Sequence, residues 1–102
     1  MNWYSAGSVN GFTESPRKSI TIHNVPLIIF YIDNVFYAIE DRCPHQDLPL
    51  SEGPLEGNIL TCPYHGAQFC IKTGAVLSPP AFSDLETFQT QITGDELQIA
   101  LP

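Results

Sequence analysis

Cys43-Pro44-His45 and Cys62-Pro63-Tyr64-His65-Gly66 are the stretches that decide the fold, and sixteen residues separate them. Each is a tight knuckle that offers one thiolate and one imidazole. Four soft or borderline ligands from two loops can hold a metal centre, and the mixed sulfur and nitrogen set limits which one. A tetrahedral zinc ion fits two thiolates and two imidazoles. A two-iron cluster also fits, one iron taking both Cys and the other both His. Ligand order weighs against zinc. Zinc knuckles usually place both sulfurs in one pair and both His in the other, whereas here each knuckle mixes them. The first pair is also very tight, with only Pro44 between Cys43 and His45.

Working outward, both knuckles lie in a loop-rich region. From Asp41 to Pro80 the chain is punctuated by Pro and Gly, with two short strand-like pieces at Asn58–Thr61 and Ala67–Ile71. On either side the chain reads as short strands separated by turn residues, which predicts an all-β sandwich or barrel. Ser19–His23 alternates polar and apolar residues, as a half-buried strand does. Leu27–Ile32 and Val35–Glu40 flank Asp33-Asn34, a pair that tolerates positive φ and so predicts a tight hairpin. Thr87–Ile92 and Glu96–Leu101 form a second alternating pair across Thr93-Gly94-Asp95. No stretch carries an amphipathic helix period, and no repeat, linker or low-complexity segment stands out. The site is expected to be built from loops on a β scaffold.

A chain of 102 residues with 43% hydrophobic and 15% charged residues is expected to be one domain, 1–102, with its own core. Structural zinc mostly serves domains too small for a core, a further point against it. Met1-Asn2-Trp3-Tyr4 has neither a basic start nor an apolar run behind it, which argues against a signal peptide. The run Leu27–Ile32 is too short to span a bilayer. A cytoplasmic protein without membrane attachment is the expectation. Four basic residues, Arg17, Lys18, Arg42 and Lys72, against a net charge of −7 make no nucleic-acid footprint. Five acids (Glu40, Asp41, Asp47, Glu52, Glu56) crowd the first knuckle with one base among them, which suits steering toward a basic partner. Three Cys, two of them in the knuckles, make no disulfide framework.

At these residues the chain resembles the Rieske iron–sulfur family. The resemblance takes in the two knuckles, Pro49-Leu50-Ser51-Glu52-Gly53 after the first, Gly66-Ala67-Gln68-Phe69 after the second, and Thr73-Gly74 leading to Ser78-Pro79-Pro80-Ala81. These look like the soluble Rieske ferredoxins of ring-hydroxylating oxygenase systems, and the likeness runs the length of the chain. It implies a Rieske-type β-sandwich of antiparallel strands with a loop-built cluster-binding subdomain at roughly 41–80. It implies one [2Fe-2S] cluster per chain, Cys43 and Cys62 on the inner iron, His45 and His65 on the outer iron near the surface. Pro79-Pro80 would cover the cluster, and Gly66 would let the backbone approach it closely.

What the resemblance implies for chemistry follows from charge. Two neutral imidazoles in place of thiolates lower the repulsion met by an added electron, so the potential lies above that of all-Cys clusters. The high-potential members carry a disulfide across the cluster loops and hydroxyl donors beside the second knuckle. The matching positions here are Leu48 and Tyr64, then Ala67 and Phe69, none of which supplies either feature. A potential at the low end, about −150 to −50 mV, is therefore expected. No Gly-x-Gly-x-x-Gly fingerprint occurs, and no catalytic iron domain follows the knuckles, so no catalytic residue is expected. The implied role is a monomeric one-electron carrier between a flavin-dependent NAD(P)H reductase and a terminal oxygenase or similar acceptor.

Three alternatives predict different observables. A Rieske-type small subunit of a nitrite reductase-like enzyme would co-purify with a sirohaem chain. A structural zinc module would be colourless. A fragment of a longer oxygenase fits poorly with a domain that looks complete from Met1 to Pro102. Cys70 reads as a buried thiol acting as a small apolar residue, His23 as a structural or surface residue on its strand, and Trp3 and Tyr4 as strand or core residues.

Overall fold

The computed structural model describes residues 2–12, 16–43, 48–64, 66–78 and 83–102, and the strand pairs among them are antiparallel. The chain begins with β1 (Asn2–Ser8) and a 3-10 turn (Val9–Phe12). A meander follows: β2 (Arg17–Ile22), β3 (Val25–Ile32) and β4 (Val35–Glu40). Then come four short strands, β5 (Leu55–Glu56), β6 (Ile59–Thr61), β7 (Gln68–Cys70) and β8 (Val76–Ser78). The chain closes with β9 (Thr87–Phe88), β10 (Thr90–Thr93) and β11 (Glu96–Leu101). Among the described residues three sheets result, ordered β1-β11-β10, β2-β3-β4-β9 and β5-β6-β7-β8.

The meander owes its register to two tight turns. Asp33 and Asn34 both take positive φ (52° and 67°), the hairpin expected from the sequence. His23 and Asn24 do the same (50° and 64°). His23 is therefore a turn residue rather than the end of a strand, and its ring lies 4.3 Å from that of Tyr4. The strand expected at 19–23 accordingly shifts to Arg17–Ile22.

Leu27–Ile32 lacks alternation because β3 is covered on both faces. Leu27 and Ile29 pack with Phe36, Ala38, Leu97, Ile99 and Leu101 between the central and terminal sheets. Ile28 and Phe30 point the other way, into a second core with Ile39, Leu60, Phe69 and Leu85. That second core contains Cys43 and Cys62, so the scaffold and the candidate site share one packed interior. The strand expected at 87–92 is broken at Gln89. Thr87–Phe88 pairs with β4, and Thr90–Thr93 pairs with β11. The chain changes sheets at that residue, whose carbonyl accepts from the Ala100 amide at 2.9 Å. Among the described residues no helix is long and apolar enough to cross a membrane.

Candidate metal centre

Cys43 follows β4 and Cys62 follows β6, so each thiol is delivered by a strand into a loop. Both are buried, 0% and 2% exposed, and neither is in a disulfide. Both loops close in the same way. The Cys43 amide donates to the Leu48 carbonyl and the Cys62 amide to the Ala67 carbonyl, each at 2.7 Å and each spanning five residues. Two thiols on matched loops in one apolar core form a pair that a thiophilic metal fits. His45 and His65, the other expected ligands, lie outside the described residues, as do Asp47 and Pro79-Pro80. Among the described residues no group of three or more His, Cys, Asp or Glu side chains is gathered as a metal site.

The second loop has a twin. The Gly66 amide donates to the Cys62 carbonyl at 3.0 Å, and one hairpin later the Gly74 amide donates to the Cys70 carbonyl at 2.7 Å. Cys70 also donates its amide to Ala75 across five residues. Gly66 and Gly74 both have positive φ (77° and 81°). The frame Cys-x-x-x-Gly-Ala thus occurs at 62–67 and again at 70–75, a short repeat visible in the sequence once the hairpins are aligned. At Gly66 an added Cβ would meet no protein atom within 4 Å. Backbone conformation, rather than crowding within the protein, calls for glycine there.

Cys70 departs from expectation. It lies on β7 opposite in facing to buried Phe69, is only half-buried, and its Sγ accepts from Asn58 Nδ2 at 3.4 Å. Burial pushes the thiol upward. Hydrogen bonds from the Thr73 side chain and backbone, the Lys72 backbone and the Asn58 side chain outweigh it and hold the thiol below its ordinary value. It is a hydrogen-bonded thiol, not an inert apolar filler. Trp3 is 41% exposed on β1, so of the aromatic pair Trp3-Tyr4 only Tyr4 packs against a core.

The segment after the first knuckle is tied down by contacts that the sequence did not reveal. Leu50 donates its amide to Asp41 Oδ1 at 2.6 Å, and Gly53 donates to the Leu50 carbonyl at 2.9 Å. Arg17 Nη1 donates to the Ser51 and Gly53 carbonyls at 3.0 and 2.6 Å. Asp41 is therefore an anchor of the loop rather than a steering acid. Glu40 sits 4.0 Å from Arg42. Glu52 and Glu56 are exposed.

Comparison with known proteins agrees with this geometry. The family described as Rieske [2Fe-2S] domain matches residues 2–89. The 3-phenylpropionate/cinnamic acid dioxygenase ferredoxin subunits of Escherichia coli (strain K12) and Shigella flexneri serotype 5b (strain 8401) are each 40% identical over 87 residues, covering 83% of this chain and 82% of theirs. A chain in the complex of reduced oxygenase and oxidised ferredoxin in carbazole 1,9a-dioxygenase superposes with a TM-score of 0.86 at 29% identity, covering 96% of this chain and 92% of that one. The Sphingomonas yanoikuyae B1 ferredoxin shares the fold, with a TM-score of 0.88 at 24% identity over 99% of this chain and 100% of that one. With a family match over residues 2–89 and both cysteines buried in this fold, the chain belongs to the Rieske [2Fe-2S] family.

Proposed function

We propose that this protein is the ferredoxin of a ring-hydroxylating dioxygenase system, a one-electron carrier that does no substrate chemistry itself. The observation that carries this is the pair of buried cysteines on matched loops in one apolar core. Relatives named as dioxygenase ferredoxin subunits support it, as does the complex of oxygenase and ferredoxin in carbazole 1,9a-dioxygenase. The whole of 1–102 acts as one domain, with residues 41–80 as its cluster-binding part. Cys43 and Cys62 hold one iron of a single [2Fe-2S] cluster, and His45 and His65 hold the other. The cluster, when bound, supplies a centre that gains and gives up one electron.

This chain's own residues set the terms of that exchange. The two cysteines bring negative charge into an apolar interior, which opposes the arrival of an electron. Ala67 and Phe69, both fully buried beside the second loop, bring no hydroxyl to offset it. A potential of about −150 to −50 mV follows, and a value above about +100 mV would refute this account. Electrons arrive from an NAD(P)H-dependent flavin reductase and leave to a terminal oxygenase. The protein works as a cytoplasmic monomer, and its contacts with both partners are small and short-lived.

Iron and acid-labile sulfide analysis, with the visible and paramagnetic spectra of the reduced protein, tests the proposal. Two irons and two sulfides per chain are expected. A colourless protein holding zinc would overturn it. Permanent co-purification with a sirohaem chain would make it an enzyme subunit instead.

A further inference from the structure

We propose that Arg17 is a positioning residue for the metal centre, a clamp on the 50–53 turn that sets the spacing of the two cysteine loops. The inference rests on the reading that Cys43 and Cys62 hold the cluster. Arg17 belongs to β2, an edge strand of the central sheet, and is remote in sequence from both knuckles. Its guanidinium lies 5.6 Å from the centre of the Phe30 ring, its cross-strand neighbour. Phe30 is fully buried in the core that contains both cysteines. From that seat Nη1 reaches the Ser51 and Gly53 carbonyls, 34 and 36 residues away. Hydrogen bonds from a charged donor are about twice as strong as neutral ones, and the planar guanidinium loses little freedom in making them.

The clamped turn touches both loops. On one side Leu50 is bonded to Asp41, two residues before Cys43. On the other side Gly53 is pressed against the Thr61 carbonyl, and a Cβ at Gly53 would collide with that oxygen. Thr61 immediately precedes Cys62, and its amide donates to the Pro54 carbonyl at 3.0 Å. The turn is thus a spacer with one cysteine loop tied to each flank, and Arg17 holds it to the scaffold from a third direction. Releasing the clamp lets the flanks move apart without removing any ligand. The neighbouring Lys18 provides an internal control. Its Nζ lies 5.2 Å from the Phe12 ring, in the other core.

The experiment compares Arg17→Met, Arg17→Lys, Gly53→Ala and Lys18→Met in the cluster-loaded protein. Arg17→Met keeps a stem over Phe30 and removes the donors. Outer partners that orient metal ligands typically cost 10–100-fold in metal affinity when lost, so release of iron to a chelator should accelerate about ten-fold in Arg17→Met. The paramagnetic signal of its reduced state should broaden. Gly53→Ala should change in the same direction, without a change in charge. Arg17→Lys should recover only part of the loss, since an ammonium does not reproduce the planar guanidinium, and Lys18→Met should match the wild type. Wild-type release and an unaltered signal in Arg17→Met would overturn the inference, whatever happens to its melting temperature. Should Arg17→Met fail to fold, Arg17→Lys must still release iron faster than Lys18→Met, and equal rates would overturn it. A wild-type protein devoid of iron and sulfide would instead sink the underlying reading, and the clamp with it.

Discussion

Gly57 and Gly74 both occupy the left-handed region, at φ 61° and 81°, yet they differ in what surrounds them. A Cβ at Gly57 would meet nothing within 4 Å, whereas one at Gly74 would fall 2.5 Å from the Leu85 carbonyl and 2.8 Å from Thr87 Cγ2. Gly57→Ala should therefore cost only the conformational penalty, about 1 kcal/mol. Gly74→Ala adds a clash that backbone must relieve, for a total of about 2–4 kcal/mol. Thermal melts of the two variants check this, and equal losses would mean that crowding at Gly74 is unimportant. Cys70 offers a second test at this scale. Its folded-state value is depressed, so the thiolate form favours the folded protein. That stabilisation is fully present above the ordinary thiol range and is lost as pH falls through the folded value. Denaturant melts of the wild type and Cys70→Ala should diverge as pH rises from neutral into the alkaline range. A gap that is constant with pH would show that the hydrogen bonds from Thr73, Lys72 and Asn58 do not favour the thiolate.

Elements were legible in the sequence wherever one short-range rule governed them. The Asp33-Asn34 hairpin followed from turn chemistry, and β11 from strict alternation. The Leu27–Ile32 run was legible as a strand, but not as a strand buried on both faces, since that depends on two other sheets. β5 and β8 have two and three residues, too few to show a period. The sheet change at Gln89 left no mark because alternation continues across it. The site divides in the same way. Cys43 and Cys62 could be read from motif spacing, while Arg17, Asp41 and Gly53 matter through contacts that chain order does not reveal. His23-Asn24 was missed because it lacks the Asp-Asn or Asn-Gly form, although both residues hold positive φ. This gives an element-scale prediction. Asn24→Gly should be tolerated to within about 0.5 kcal/mol, while β-branched Asn24→Val should cost about 1–2 kcal/mol by opposing the left-handed turn. Melting temperatures decide it, and a harmless Asn24→Val would mean that the turn does not hold the β2–β3 register.

At the scale of the whole molecule, the proposed carrier role would divide the task of meeting a partner between apolar and charged features. Tyr64 is 53% exposed in the loop between β6 and β7, and Leu77 is 50% exposed on β8. Gln68 pairs with Ser78 and Phe69 with Val76, so Leu77 is the extra residue of a β-bulge on the edge strand of the cysteine-bearing sheet. Bulges re-aim side chains, and this one lies opposite the start of β7, where the Tyr64 loop ends. Both apolar residues thus share the loop end of the sheet, where neither is needed for packing. In that role, exposed acids such as Glu52 and Glu56, on a chain of net charge −7, would add a longer-range pull on a basic partner. These two contributions separate under salt. Screening shortens the reach of the acids, to about 8 Å at physiological ionic strength, and leaves apolar contact intact. Glu52→Gln with Glu56→Gln should slow electron delivery to the proposed oxygenase partner at low salt and flatten its salt dependence. Tyr64→Ser and Leu77→Ser should instead raise the half-saturating concentration, each by about 5–30-fold if they behave as interface anchors worth 1–2 kcal/mol, with the salt slope and the reduction potential unchanged. Stopped-flow transfer rates across a salt series, beside potentiometric titration of each variant, measure all of these quantities. Serine variants that shift the potential would place Tyr64 or Leu77 in the cluster's environment rather than on the docking face. Serine variants that change nothing would remove that end of the sheet from the interface.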